Sequence, residues 1–229
     1  MLGRSGTIRV LHLADLHLGW EPSFLPAPLA RERRRRRDEL LDRAVEHVLR
    51  PGSNIGLVII AGDLFETHRP DADLVIRVLQ QLGRLVAAGV QVVTVPGNHD
   101  EITYPDSVYR RYAAAWPGLL VTSPLPEHVG TIHLGGTAVH LYALAFTGGV
   151  TPADKPLRSF PRVAEGGLHI GVFHGTLALP DLPRPEGRNL WLQPEGLAGA
   201  GYHYAALGHI HRHLVRSIGD TLAVYAGAV

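Results

Sequence analysis

The chain contains no cysteine. That excludes disulfides, thiolate nucleophiles, iron–sulfur clusters and thiolate zinc sites together, so any metal is held by nitrogen and oxygen. A strong charge of one sign is also missing: 22 basic and 21 acidic side chains leave a formal net charge of +1. Attraction to a polyanion then has to come from a local patch and not from the molecule as a whole. No uninterrupted apolar run approaches the roughly 20 residues that cross a bilayer. Met1 to Thr7 leads straight into a strand broken by His12 and Asp15, which is not the pattern of a secretory leader. These absences predict a soluble, cytoplasmic protein. Of its 229 residues 45% are apolar, ample for one large core or two small ones.

What is present is a set of apolar runs that end in ligand-type side chains. Gly56 to Ala61 reads as a strand buried on both faces and delivers Asp63 at its carboxyl end. Val10 to Ala14 runs into Asp15-Leu16-His17, and Val90 to Val95 into Pro96-Gly97-Asn98-His99-Asp100. Between them the pattern predicts a helix from Pro28 to about Leu49, stopped by Pro51-Gly52, and a second opened by Pro70-Asp71 and stopped by Gly89. Strand, helix, strand, helix, strand implies a parallel sheet with right-handed crossovers. Tyr104 to Ala115 reads as a short helix. Beyond it Gly135-Gly136 marks a hairpin between Thr131–Leu134 and Thr137–Ala143. Leu168 to Phe173 is a strand ending at His174, Tyr204 to Leu207 leads into Gly208-His209-Ile210-His211, and Thr221 to Tyr225 is a last strand. Residues 147–167 and 179–201, rich in glycine and proline, read as loops. The plan is a sheet-on-sheet core with helices outside, one domain over residues 1–229.

In open α/β sheets ligands bind beyond the carboxyl ends of the strands. Seven donors stand there: Asp15, His17, Asp63, Asn98, His174, His209 and His211. That number fills two metal sites sharing one carboxylate, Asp63, with places left for water and substrate. Carboxylate, amide and imidazole together suit manganese, iron, zinc or magnesium. Ions about 3.5–4 Å apart activate a shared water and neutralise attacking and leaving oxygens, which is the chemistry of phosphoester hydrolysis.

Asp15-Leu16-His17, Gly62-Asp63, Gly97-Asn98-His99-Asp100, His174 and Gly208-His209-Ile210-His211 resemble the five ordered motifs of the calcineurin-like metallophosphoesterases. Within that superfamily Asp15 to Gly19, Gly62 to Phe65 and Tyr204 to His211 are most similar to the SbcD-type nuclease subunit of double-strand-break repair. The resemblance implies an α/β fold, a four-layer α-β-β-α sandwich with mixed sheets. It implies one ion on Asp15, His17, Asp63 and His211 and the other on Asp63, Asn98, His174 and His209, with manganese the first choice. It also implies a DNA exo- or endonuclease that uses a metal-activated hydroxide, with His99 over the phosphate as acid. Asp100 either orients His99 or caps the following turn. An SbcC-type ATPase, DNA and a second copy of the chain are the implied partners, and no membrane.

Three departures accompany the likeness. Glu66 stands where many repair nucleases carry a histidine, with His68 two places on; Tyr225-Ala226-Gly227-Ala228 replaces Tyr-Pro-Gly-Ser; and the capping domain and ATPase-docking segment expected of this branch do not follow. A truncated or stripped-down relative is the expectation. Arg31 and Arg33 to Arg37 read either as a solvated helix face or as a phosphate clamp for nucleic acid. Trp20, Trp116 and Trp191 fit base stacking or local packing, and Tyr104, Tyr109 and Tyr112 a dimer face or a core contact. Two rival functions use the same fold: a phosphodiesterase or phosphatase for a small nucleotide or other phosphoester, and a non-catalytic scaffold. A scaffold generally loses ligands or the catalytic histidine, and here all are present.

Overall fold

The computed structural model describes residues 7–148, 157–182 and 188–228. Most of the amino-terminal segment Met1–Thr7 and part of the 147–167 and 179–201 stretches lie outside them. Strands β1 (Arg9–Leu13), β2 (Ile55–Ala61) and β3 (Gln91–Val95) pair in parallel, and a two-residue β4 (Leu119–Leu120) completes the first sheet in the order β1-β2-β3-β4. The helices between them are α1 (Ala27–Asp38), α2 (Leu40–Leu49) and α3 (Ala72–Ala87). The single helix expected from Pro28 to Leu49 is therefore two, joined at Glu39. The burial pattern accounts for the division: α1 buries only Ala30, whereas α2 buries Leu41, Val45 and Val48 against the core.

Further on, α4 (Val108–Arg111) is followed by β5 (Glu127–Leu134), β6 (Thr137–Ala143), β7 (Leu168–His174), β8 (Thr176–Leu177), β9 (Trp191–Leu192), α5 (Pro194–Ala200), β10 (Tyr204–Gly208), β11 (Leu214–Ile218) and β12 (Thr221–Tyr225). The second sheet runs β11-β12-β10-β7-β6-β5. It is mixed: β6-β7, β7-β10 and β10-β12 are parallel, β5-β6 and β11-β12 antiparallel. Strand β9 and helix α5 fall in the stretch read from sequence as a loop, and β11 was not expected.

Period-two alternation explains the layering. Val139, Leu141 and Ala143 of β6, Ile170 and Val172 of β7 and Ala206 of β10 enter the cluster shared with β2, β3, α2 and α3. Their neighbours Tyr142, Phe173, Ala205 and Leu207 face the opposite side, where Phe160, Leu192 and Leu197 of α5 cover them. The central strands β6, β7 and β10 are buried on both faces, whereas the edge strands β5 and β11 are partly exposed. The result is the four-layer sandwich with helices outside two facing sheets. Among the described residues no helix is long and apolar enough to cross a membrane.

Candidate metal centre

Five strands deliver the predicted donors at their carboxyl ends. Asp15 and His17 follow β1, Asp63 follows β2, Asn98 and His99 follow β3, His174 ends β7, and His209 and His211 follow β10. The β1 and β2 loops are laced together by Asp15 N–H to the Gly62 carbonyl at 3.1 Å, His17 N–H to Asp63 at 3.0 Å and Leu18 N–H to Leu64 at 2.9 Å. Asp15, His17, Asp63 and His209 all have positive φ (56°, 47°, 49° and 94°). Non-glycine residues avoid that region, and it persists where surrounding structure over-determines it, commonly at functional sites.

Glycines let the strands close on the donors. A Cβ on Gly62 would stand 2.1 Å from His174 Nδ1, one on Gly97 2.2 Å from Asp63 Oδ1, and one on Gly208 2.0 Å from the Ala61 carbonyl.

The donors form two overlapping groups around Asp63. On one side His17 Nε2 lies 3.7 Å from Asp63 Oδ2 and 3.1 Å from His211 Nε2, which is 3.9 Å from Asp15 Oδ1. On the other, His174 Nε2 lies 3.3 Å from Asp63 Oδ2, and Asn98 Oδ1 is 2.9 Å from both His174 Nε2 and His209 Nδ1. Asp15, His17 and His211, and again Asp15, Asp63 and His174, offer ligand atoms within 4.8 Å of one another. The structure thus brings all seven predicted donors together.

Electrostatics test whether cations fit. Burial alone pushes Asp63 up, but the adjoining His174 charge and hydrogen bonds from His174 and the His99 N–H more than offset it, holding the carboxyl well below its ordinary range. His174 is the counterpart: burial lowers it, yet Asp63 and Asp15 raise it to about 9. Burial raises Asp15 against the charge of His174. The pocket therefore retains a proton on a buried imidazole to balance its carboxylates, and a divalent cation competes for the same place. Burial drives His17 down to about 4 and His209 to about 3, so both are neutral and ligand-competent near neutral pH.

Outer contacts fix which nitrogen is free. His174 donates its Nδ1–H to the Ala61 carbonyl at 2.9 Å, and His17 donates its Nδ1–H to Glu66 Oε2 at 2.8 Å. His17 Nε2 is thereby left for a cation, and His174 Nε2 becomes a ligand once a cation displaces the proton it shares with Asp63, the arrangement metal-bound histidines require. Glu66 is the functional residue that sequence reasoning left without a role; the signal was its place three residues after Asp63, on the same loop. It also holds His99, whose Nδ1–H donates to the Glu66 carbonyl at 3.1 Å. The His99 ring meets His17 edge-on, centroids 4.6 Å apart, and is 40% exposed.

Asp100 is placed differently from an orienter of His99. It is fully buried and accepts from Gly97 N–H (2.7 Å), Phe65 N–H (3.1 Å) and Tyr109 O–H (2.7 Å), and no hydrogen bond joins it to the His99 ring. These contacts tie the loops after β2 and β3 to each other and to Tyr109, and the two backbone donors precede Asp100 instead of lying in the turn that follows it. Tyr109 is consequently in the core, which removes it from any dimer face, and Tyr112 packs against that core.

The arginines divide. Arg34 pairs with Glu21, Asp38 and Asp71, Arg35 with Glu32 and Glu39, and Arg36 with Glu32. Arg31, Arg33 and Arg37 form no ion pair among the described residues. Arg37 lies over the Trp20 ring, 4.7 Å from its centroid. Trp116 is buried and donates to Thr94 Oγ1, while Trp191 belongs to β9, so both serve local packing.

Two facing sheets whose carboxyl-end loops pool carboxylates, an amide and imidazoles define a metal-dependent phosphoesterase core. The calcineurin-like phosphoesterase family model matches residues 8–213, and the chain belongs to that family, whose centre is dinuclear. It is 26% identical over 95% of its length to an uncharacterized metallophosphoesterase, YhaO, of Bacillus subtilis (strain 168), covering 52% of that protein. It is 28% identical over 89% of its length to the DNA double-strand break repair protein Mre11 of Methanopyrus kandleri, covering 44% of it. The chain thus spans about half the length of the curated relatives it matches. A solved structure, the phosphopantetheinyl hydrolase PptH of Mycobacterium tuberculosis, superposes at a TM-score of 0.49 with 14% identity, over 98% of this chain and 91% of that one.

Proposed function

We propose that the chain is the catalytic core of a two-metal phosphodiesterase that cleaves DNA, an exo- or endonuclease of repair, with manganese as the preferred ion. The observation that carries this reading is the pair of ligand sets meeting at Asp63, with the half-exposed His99 beside them. The relative named as a DNA double-strand break repair protein supports DNA as substrate. With that reading goes the resemblance-based partner, an SbcC-type ATPase.

Asp15, His17, Asp63 and His211 would hold one ion, and Asp63, Asn98, His174 and His209 the other. Two such ions supply Lewis acidity, neutralising phosphate oxygens and lowering the pKa of water. The chain does the rest. His99 is anchored through Nδ1, which leaves Nε2 to give a proton to the departing sugar oxygen. Glu66 sets the tautomer of His17 and the position of His99 together, while Asp100 and Tyr109 clamp the two loops that carry Asp63 and His99.

The test is manganese-dependent cleavage of end-labelled single- and double-stranded DNA, run beside a chromogenic phosphodiester with His99→Ala as comparison. Loss of about 10²–10⁴ in rate with metal binding retained is expected of that variant. A fully active His99→Ala protein contradicts the mechanism, and cleavage of the chromogenic ester alone moves the substrate to small phosphoesters.

A further inference from the structure

Helix α1 poses a problem of its own. Ala30 is its one buried residue; Ala27, Pro28 and the exposed Leu29 make up the rest of its first turn, and from Arg31 to Asp38 every residue is charged. A helix with no apolar face draws little stability from the core it lies on, so its charges serve something else or mainly each other. Several are paired: Arg34 meets Asp38 on the helix and Asp71 beyond it, and Arg35 and Arg36 both meet Glu32. Arg33 and Arg37, which form no ion pair among the described residues, line a cleft together with Arg36.

That cleft, about 610 Å³, lies between α1 and the loop leaving the metal motif, and is walled by Trp20, Phe24, Arg33, Arg36, Arg37 and Arg43. No carboxylate lines it, but Glu32 pairs with Arg36 and Glu39 with Arg43 from outside, so Arg33 and Arg37 are its cations without an ion pair among the described residues. Phe24 is 78% exposed, an aromatic ring with nothing over it. Arg37 connects cleft to centre: it lies over Trp20, donates to the carbonyl of Leu16 at 3.4 Å, between ligands Asp15 and His17, and the Trp20 N–H returns to the His17 carbonyl at 3.1 Å. A free aromatic face, cationic walls and continuity with a phosphoester-cleaving centre describe a stacking platform in an electrostatic groove. Duplex DNA offers its phosphates but not its base faces; an unpaired strand offers both.

We infer that this cleft binds the single-stranded segment of nucleic acid that flanks the scissile phosphate, with Phe24 under a base and Arg33, which forms no ion pair among the described residues, on the backbone. The inference deepens the nuclease reading and rests on it for the identity of the polymer. Arg37, already held by Trp20 and Leu16, serves as the hinge point between strand and centre.

Fluorescence anisotropy of a labelled oligo(dT) and of a matched duplex, in EDTA so that nothing is cleaved, tests it on the whole chain. Phe24→Ala should weaken oligo(dT) binding about tenfold and leave the duplex unchanged. Arg33→Glu should weaken oligo(dT) binding and flatten its salt dependence by roughly 0.7 in log–log slope or more. Asp63→Asn, which disables the centre, should bind oligo(dT) as wild type does. Phe24 and Arg33 are exposed, so folding is not at risk, and thermal melting of each variant checks it. Wild-type affinity in both cleft variants overturns the inference, as does equal loss on duplex. If wild type hydrolyses a chromogenic phosphodiester with manganese yet does not bind oligo(dT), the cleft assignment fails and the phosphoesterase reading stands. If it binds through Phe24 but hydrolyses nothing with any divalent ion, the cleft stands and the nuclease reading fails.

Discussion

Glu66 decides the state of two histidines. Its carboxylate accepts a hydrogen bond from His17 Nδ1–H and its carbonyl one from His99 Nδ1–H. Glu66→Ala should therefore lower manganese affinity about 10–100-fold, the usual consequence of removing a carboxylate behind a ligating histidine. Titration calorimetry checks this, and unchanged affinity would show that His17 needs no such support. Asp100 makes a contrasting case. Tyr109→Phe should cost about 1–3 kcal/mol in urea unfolding, since it leaves a buried carboxylate short of one partner, without moving the pH profile of catalysis; a shifted profile would return Asp100 to the chemistry of His99. His12, on β1 and 2.9 Å from the Tyr204 hydroxyl, is held down to about 4 by burial. Its native pKa lies below its unfolded value of 6.5. The unfolded chain therefore takes up the proton first, and stability falls as pH drops from about 6.5 towards 4. The expected loss by pH 5 is on the order of 2 kcal/mol. Urea midpoints at pH 7 and pH 5 measure it, and His12→Asn should flatten the difference.

At the level of elements the site is a property of strand ends, and that is why it is legible in sequence. A buried parallel strand is a run of apolar residues, its end is where the run stops, and a donor just past the stop is placed without knowing the rest of the fold. β1, β2, β3, β7 and β10 could all be read this way, and with them the seven donors. What could not be read follows from what short elements lack. β4, β8 and β9 have two residues each and carry no period, and α5 holds two glycines behind a proline, in a stretch whose composition says loop. The division of α1 from α2 depends on which turns find a core to pack on, which is a tertiary fact. The distribution of arginines among ion pairs and cleft was equally invisible, because a run of arginines looks the same whether its partners are Glu32 and Glu39 or a substrate. The three glycines at the strand ends carry a prediction of their own. Gly208→Ala places a methyl group 2.0 Å from the Ala61 carbonyl, which itself holds His174. The variant should melt several degrees below wild type, and wild-type melting together with wild-type metal affinity would show that the strands separate freely there.

For the whole molecule, the centre is a tie between two sheets: Asp15, His17, Asp63 and Asn98 belong to loops of the first, His174, His209 and His211 to the second. Ions bound there stabilise the folded state by mass action, about 2.7 kcal/mol at a hundredfold excess over Kd for each site. The sheets are also joined by the packing of β2 against β7 and β10 and of β3 against β7, and by hydrogen bonds such as His174 to the Ala61 carbonyl and His12 to the Tyr204 hydroxyl. The most direct test of the account is the count of manganese ions bound per chain, by calorimetry with electron paramagnetic resonance on the same samples. The account predicts two ions with the spectrum of a coupled pair in wild type and in His99→Ala, and loss of the coupled pair in Asp63→Ala. A single uncoupled ion in wild type, or two coupled ions surviving Asp63→Ala, would contradict it.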